Sequence, residues 1–293
     1  ELWLNRFNKG PYIISEKLDG LSGLLVLTPN SANPAKLDKH LYRRGDSDIA
    51  QEVSHLLDHI KYIRTGAGTE SSIAKYIATK LPNKTLALRG EIIIKNDIFN
   101  AKYNGRYPKP RSLINGVALS KAENFTRPEL CATAADVEYV VYAVMDPEPL
   151  THEEQFKLAD SLGFYTARIE KIPAPLTQEQ LRELLLDFRA NSIYTIDGII
   201  VADDSKPYEF PKAGNPKHAV AFKMMLDDQT QLTTVVRVEW NVTKNKLLKP
   251  RVEFAPVKIG GDTITFATGF NAKFICDNKI GPGAKIKIVR SGD

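Results

Sequence analysis

A chain of 293 residues has room for one large domain or two of unequal size. Its 43% hydrophobic and 26% charged content is that of a soluble globular protein, with no signal-peptide pattern and no run of ~18 apolar residues to span a membrane. The formal net charge of +5 suits a polyanionic partner without requiring one. Cys131 and Cys276 lack metal-ligand spacing, so they read as reduced thiols of an intracellular protein, in cytoplasm or nucleus.

The first informative stretch is YIISEKLDGLSGLLV, residues 12–26, which reads as one continuous strand with charges and a glycine in its middle. Lys17 and Asp19 stand two apart and so share one side of an extended backbone. Two readings are open: a surface turn at Asp19–Gly20, or a desolvated lysine nucleophile with an orienting carboxylate. Next, DIAQEVSHLLDHIKYI carries Ile49, Val53, Leu56, Leu57 and Ile60 at helical spacing. TLALRGEIII reads as a strand with Arg89 and Glu91 on one face, and VEYVVYAVM and IDGIIVA read as further strands. THEEQFKLADSLG opens on a capping box from Thr151 to Glu154, and TQEQLRELLLDF opens on the same device from Thr177 to Gln180. Strands and helices without a regular βαβ rhythm indicate an α+β fold.

After about residue 228 the texture changes to short strands, TTVVRVEW, RVEFAPV, TITFAT and AKIKIVR, with no helix of useful length. Five strands in about 65 residues suggest a small OB-fold barrel. The expected domains are therefore 1–228 and 229–293. The chain lacks an initial methionine and stops on IVRSGD, as an excised piece of something longer would. His55 and His59 are spaced for zinc on a helix, but the glutamate of H-E-x-x-H is missing, so a solvated helical face is expected. GPGAK reads as a turn. KNKLLKPR is a basic hairpin, either a solubilising surface or a contact to a nucleic-acid backbone.

Alone, K-x-D-G at Lys17 is a weak signal. In order, however, SEKLDG, RRGDSDIAQEVSH, RGEIII, PKPRSLINGVALSK, IDGIIV and NPKHAVAFKM resemble the motif series of DNA ligases, the NAD-dependent branch best of all. The resemblance covers essentially the whole chain, with EFAPVKIGGDTITFATGFN and IGPGAKIKIVRSGD similar to that branch's OB domain. It implies an ATP-grasp-like nucleotidyltransferase domain of antiparallel sheets with helices, followed by an OB-fold domain cut off near its end. It also implies nick sealing through a lysyl-AMP formed from NAD, with Mg2+, nicked duplex DNA and a monomeric protein. An ATP-dependent polynucleotide ligase, a capping-type nucleotidyltransferase and a non-catalytic nick-binding protein are the alternatives.

By the same resemblance Lys17 is the nucleophile and Asp19 orients it or takes its proton. An unperturbed lysine, with a pKa of about 10.4, is protonated at neutral pH, so apolar flanks and cationic neighbours are expected to lower it. Arg44, Arg111, Arg189 and Lys223 match residues that contact ribose and phosphate. Glu91 would hold the ribose hydroxyls, and Asp197 would sit near the reacting phosphate or its magnesium. Tyr12, Ile14 and Glu16 would line the adenine slot, and Lys244, Lys246, Lys249 and Arg251 would meet DNA.

The chain also departs from the pattern. Ser15 stands where the family has the glutamate two residues before the nucleophile, and Glu16 stands next to Lys17. Ala202 replaces a lysine and Val242 an arginine, while Leu119 replaces an arginine that Lys121 would substitute. The helical module that grips nicotinamide would precede this stretch, so poor reaction of these residues with NAD is expected.

Overall fold

The computed structural model describes residues 2–43, 50–147, 149–209, 215–223, 230–243, 246–259 and 262–289. The chain divides into two compact units, Glu1–Lys223 and Met224–Asp293. The expected boundary at 228 falls outside the described residues.

The first unit opens with α1 (Leu2–Arg6), β1 (Tyr12–Leu18), β2 (Leu21–Pro29), β3 (Leu37–Arg43) and β4 (Gln51–Glu52). It continues through α2 (Glu70–Lys80), β5 (Leu86–Ile94), α3 (Asn96–Lys102), α4 (Pro110–Ala118), α5 (Pro128–Ala134) and β6 (Val137–Asp146). Next come α6 (His152–Ser161), β7 (Tyr165–Thr166), β8 (Ile169–Ile172), α7 (Gln178–Asn191), β9 (Ile196–Asp203) and β10 (Ala219–Phe222). These strands form a six-stranded sheet in the order β4-β3-β2-β5-β6-β7 and a four-stranded sheet in the order β10-β9-β1-β8.

The stretch 12–26 is thus not one strand. It breaks at Asp19–Gly20, leaving β1 in the smaller sheet and β2 in the larger. Apolar residues on both sides of the break hide the change of sheet, although β1 is almost wholly buried and β2 alternates buried with half-buried residues.

One face of the larger sheet buries Leu25, Leu41, Leu88 and Ile92 against Ile73 and Ile77 of α2 and Leu113 and Ile114 of α4. Each such side chain contributes ~1.5–3 kcal/mol. A second cluster joins Ile13 and Leu18 of β1 to Ile93 of β5, Val140 of β6, Phe156 and Tyr194, and so ties the two sheets together. Capping boxes start α6 and α7 as the sequence predicts: Thr151 N donates to Glu154 at 2.8 Å and Thr177 N to Gln180 at 2.9 Å. Asp48 and Ile49 of the expected helix DIAQEVSHLLDHIKYI lie outside the described residues; the rest of the stretch holds β4 and then a single 3-10 segment, Ser54–Asp58. Val53, Leu56, Leu57 and Ile60 are buried as a helix would have buried them, so the period was satisfied by one tight turn on the sheet. His55 Nε2 donates to Ser120 O, 2.9 Å away, and His59 stacks on Phe125 at 4.4 Å, in place of a solvated face.

The second unit holds β11 (Thr230–Val242), β12 (Leu248–Ile259), β13 (Asp262–Thr268), α8 (Ala272–Asp277) and β14 (Lys285–Val289), with sheet order β13-β12-β11-β14. Four strands are described where five were expected. The start of β11 pairs with β14 and its end with β12, with a register shift between Val235 and Arg237 that bends the strand. Val235, Val252, Phe254, Ile275 and Ile288 form its core. One short helix, α8, accompanies the strands: Asn271 caps it, accepting from Phe274 N at 2.9 Å, and its six residues are too few to show a period.

Candidate active site

The site assembles where β1 leaves one sheet and β2 enters the other. Lys17 ends β1, and its neighbour across the ladder is Gly198 of β9. That register brings Asp197 to Lys17, whose Nζ lies 2.9 Å from each carboxylate oxygen. Lys223, just past β10, approaches the same carboxylate at 2.6 Å. Two glycines allow this closeness. A Cβ on Gly20 would stand 2.3 Å from Ile92 O, and one on Gly198 would stand 2.6 Å from Phe222 O. At both places backbone approaches backbone, and only glycine fits.

Asp19 does not face Lys17. Its carboxylate accepts from Arg111 at 2.8 Å, and its N–H donates to Thr195 O at 2.9 Å. Arg111 reaches it from the first turn of α4, a helix that Pro110 opens with its preset φ. The Lys17 side chain is 31% exposed, so ion pairing with Asp197 rather than burial in apolar material is its environment. The carboxylate partner therefore comes from 180 residues away in sequence, not from two.

Glu91 completes the cluster from β5. Gly20 N donates to its Oε1 at 3.2 Å. Burial pushes the Glu91 carboxyl up to about 8, against the lowering pull of that N–H and of Arg111 and Lys17. Near neutrality it is a protonated acid that accepts at one oxygen and offers a hydroxyl at the other. Opposite Glu91 across the ladder stands Ser22, whose Oγ is 2.8 Å from the Tyr142 hydroxyl. Neither was singled out from the sequence, although the alternation of VEYVVYAVM places Tyr142 on one face with Glu138 and Val140.

The structure thus brings together Lys17, Asp19, Glu91, Arg111, Asp197 and Lys223. Arg189, in the last turn of α7, forms no hydrogen bond or ion pair with them. Glu16 is also apart from them, since its carboxylate accepts from Arg168 N at 2.9 Å. Tyr12 and Ile14 are core residues, with the Tyr12 hydroxyl donating to Phe7 O at 2.6 Å. Arg44 and Lys244 lie outside the described residues. Lys246, Lys249 and Arg251 belong to the second unit. Lys246 sits at the β11–β12 turn with φ of 59°, and Lys249 and Arg251 stand two apart on β12. Among the described residues no three His, Cys, Asp or Glu side chains converge as a metal site, and Asp197 already faces two ammonium groups.

No family model matches the chain. A putative DNA ligase of Invertebrate iridescent virus 6 is 34% identical over 301 residues, covering 100% of this chain and 44% of the relative. The DNA ligase of Acanthamoeba polyphaga mimivirus is 35% identical over 291 residues, covering 99% and 41%. Its sequence relatives are named DNA ligases. They extend to bacteria, with DNA ligase 2 of Streptomyces coelicolor 26% identical over 306 residues. The chain spans less than half the length of these ligases. Among solved structures, one of a Lig E DNA ligase shares the fold at TM-score 0.53 and 14% identity, covering 97% of this chain and 87% of that one. A second, Pmar-Lig_PreS3, matches at TM-score 0.60 and 13% identity, covering 97% and 59%.

Proposed function

We propose that these residues are the catalytic core of a DNA ligase that seals nicks through a lysyl-AMP intermediate. The observation that carries the reading is Lys17 held between Asp197 and the break at Asp19–Gly20, in a chain whose ligase relatives match it from end to end. Asp197 takes a proton from the Lys17 ammonium. The freed amine attacks the α-phosphorus of the nucleotide, forming the N–P bond while nicotinamide mononucleotide leaves with its electron pair. Lys223 and Arg111 neutralise phosphate charge as it builds. Glu91 holds the ribose hydroxyls. AMP passes next to the 5′-phosphate of the nick, and the 3′-hydroxyl displaces it. NAD is the proposed donor because the motif runs after Lys17 and before the second unit follow that branch.

The second unit is proposed as an OB-type domain that meets the duplex through Lys246, Lys249 and Arg251. The strongly bent β11, shared between two pairings, supports that assignment. The test is the intact mass of the protein after incubation with NAD or with ATP. Only a slow gain of one AMP with NAD is expected, since the module that grips nicotinamide would precede these residues; it should be absent in Lys17→Arg, and sealing by that variant should fall by ~10³-fold or more. Adenylation with ATP alone would correct the donor. Binding to nicked duplex with no adenylate from either would leave the non-catalytic alternative.

A further inference from the structure

Glu16 immediately precedes Lys17, yet it belongs to a different place. In a regular strand successive side chains point to opposite sides. A groove of about 510 Å3 opens there, walled by Phe156, Ala167, Ile169, Ile193 and Tyr194, with Glu16 in its lining. None of its lining residues belongs to the Lys17 cluster. Glu16 is 5% exposed. One carboxylate oxygen accepts from Arg168 N, and the other takes no hydrogen bond among the described residues. That second oxygen is the part of the side chain that solvent reaches from the groove, so a ligand entering there would meet an acceptor with no partner among the described residues, and a charged donor would suit it best.

The cations nearby do not supply it. Lys157 is 2.7 Å from Glu153. The Arg168 guanidinium lies 2.6 Å from Asp187 and 4.3 Å over the Phe188 ring. Asp160, the other acid of the groove, is 2.8 Å from Arg64. We propose that this groove binds an alkylguanidinium group, with Glu16 receiving the planar N–H donors and the apolar walls enclosing the methylene stem. A guanidinium suits the place better than an ammonium because it is less strongly hydrated and presents its donors in a flat fork. A divalent metal would need more than one free carboxylate.

The inference stands apart from the ligase reading, because its readout is binding. Agmatine probes a free ligand, and a capped Gly-Arg-Gly peptide probes a side chain presented by a polypeptide. Propylurea is the neutral counterpart. Titration of the whole chain, followed by calorimetry, should give saturable binding of agmatine, of the peptide or of both, and none of propylurea. Glu16→Gln keeps an acceptor for Arg168 N and should weaken binding roughly tenfold or more. Ile193 is 56% exposed at the mouth, so Ile193→Trp should block entry without touching Glu16. Lys17→Arg should leave binding unchanged. Equal affinity for propylurea, full affinity in both groove variants, or no saturation up to about 10 mM of either cation would overturn the proposal.

Discussion

Glu91 is where chemistry and stability meet in one side chain. Its carboxyl rises from 4.5 in the reference state to about 8 in the fold because burial disfavours the anion. Between those values the folded protein holds a proton that the unfolded chain has released. Stability therefore falls as pH rises through that window. Glu91→Gln preserves a neutral acceptor for Gly20 N and should flatten the slope. Denaturation midpoints between about pH 6.5 and 8 should fall more steeply for the wild type than for the variant; below about 6.5 the buried His152 and His218, whose pKa values burial lowers, act in the opposite sense in both proteins. A neutral Glu91 also suits its proposed role, since a protonated acid donates to a ribose oxygen where a carboxylate could only accept.

Among elements, the pair β9 and β10 governs the site more than any single strand does. β10 is four residues long and, among the described residues, pairs with β9 alone, yet it delivers Lys223 to Asp197. Its path depends on Gly198, where a methyl group would stand 2.6 Å from Phe222 O and 3.0 Å from Lys223 Cγ. Gly198→Ala should cost ~1–3 kcal/mol, since backbone must shift to admit the methyl. Because the shift displaces Lys223, adenylation should fall further than the lost stability explains. Thermal denaturation and intact-mass measurement on one preparation separate the two effects. The start of β10 is held independently. Asp203 N donates to His218 O at 2.9 Å, and Trp3 Nε1 donates to Lys217 O at 3.0 Å, so α1 and β9 both fix the strand that carries Lys223.

At the scale of the whole molecule, charge sets how the protein meets a polyanion. The net charge of +5 is modest, so a DNA partner would be met by local clusters rather than by a uniform field. In the second unit Arg251 is fixed by its own packing, with its guanidinium 3.7 Å above the Phe266 ring. Lys249 is exposed on the same strand and makes no such contact. If the pair meets phosphates, Lys249→Ala should weaken nicked and intact duplexes of every sequence alike. It should also lower the slope of log affinity against log salt by about 1. Titrations at several salt concentrations measure both.

Local signals along the chain carry a good deal of the fold. The strands at 86–94, 137–146 and 196–203, the capped helices α6 and α7, and the candidate residues Lys17, Glu91, Arg111, Asp197 and Lys223 were all legible. Each rests on a local signal: a buried apolar run, a hydroxyl placed three residues before its partner, or a motif with fixed spacing. Tertiary structure alone decided which charges touch. Lys17 and Asp19 are two apart in sequence, but the backbone turns between them to change sheets. Asp19 goes to Arg111, and Lys17 meets Asp197 through the β1–β9 register. The break at residues 19–20 was open only as a surface turn, because the apolar residues on both sides hide the change of sheet, and the shortest helices failed to register because one or two turns carry no period. Pairing across 180 residues is set by strand register and by two glycines that let backbones close, and neither is written in local sequence.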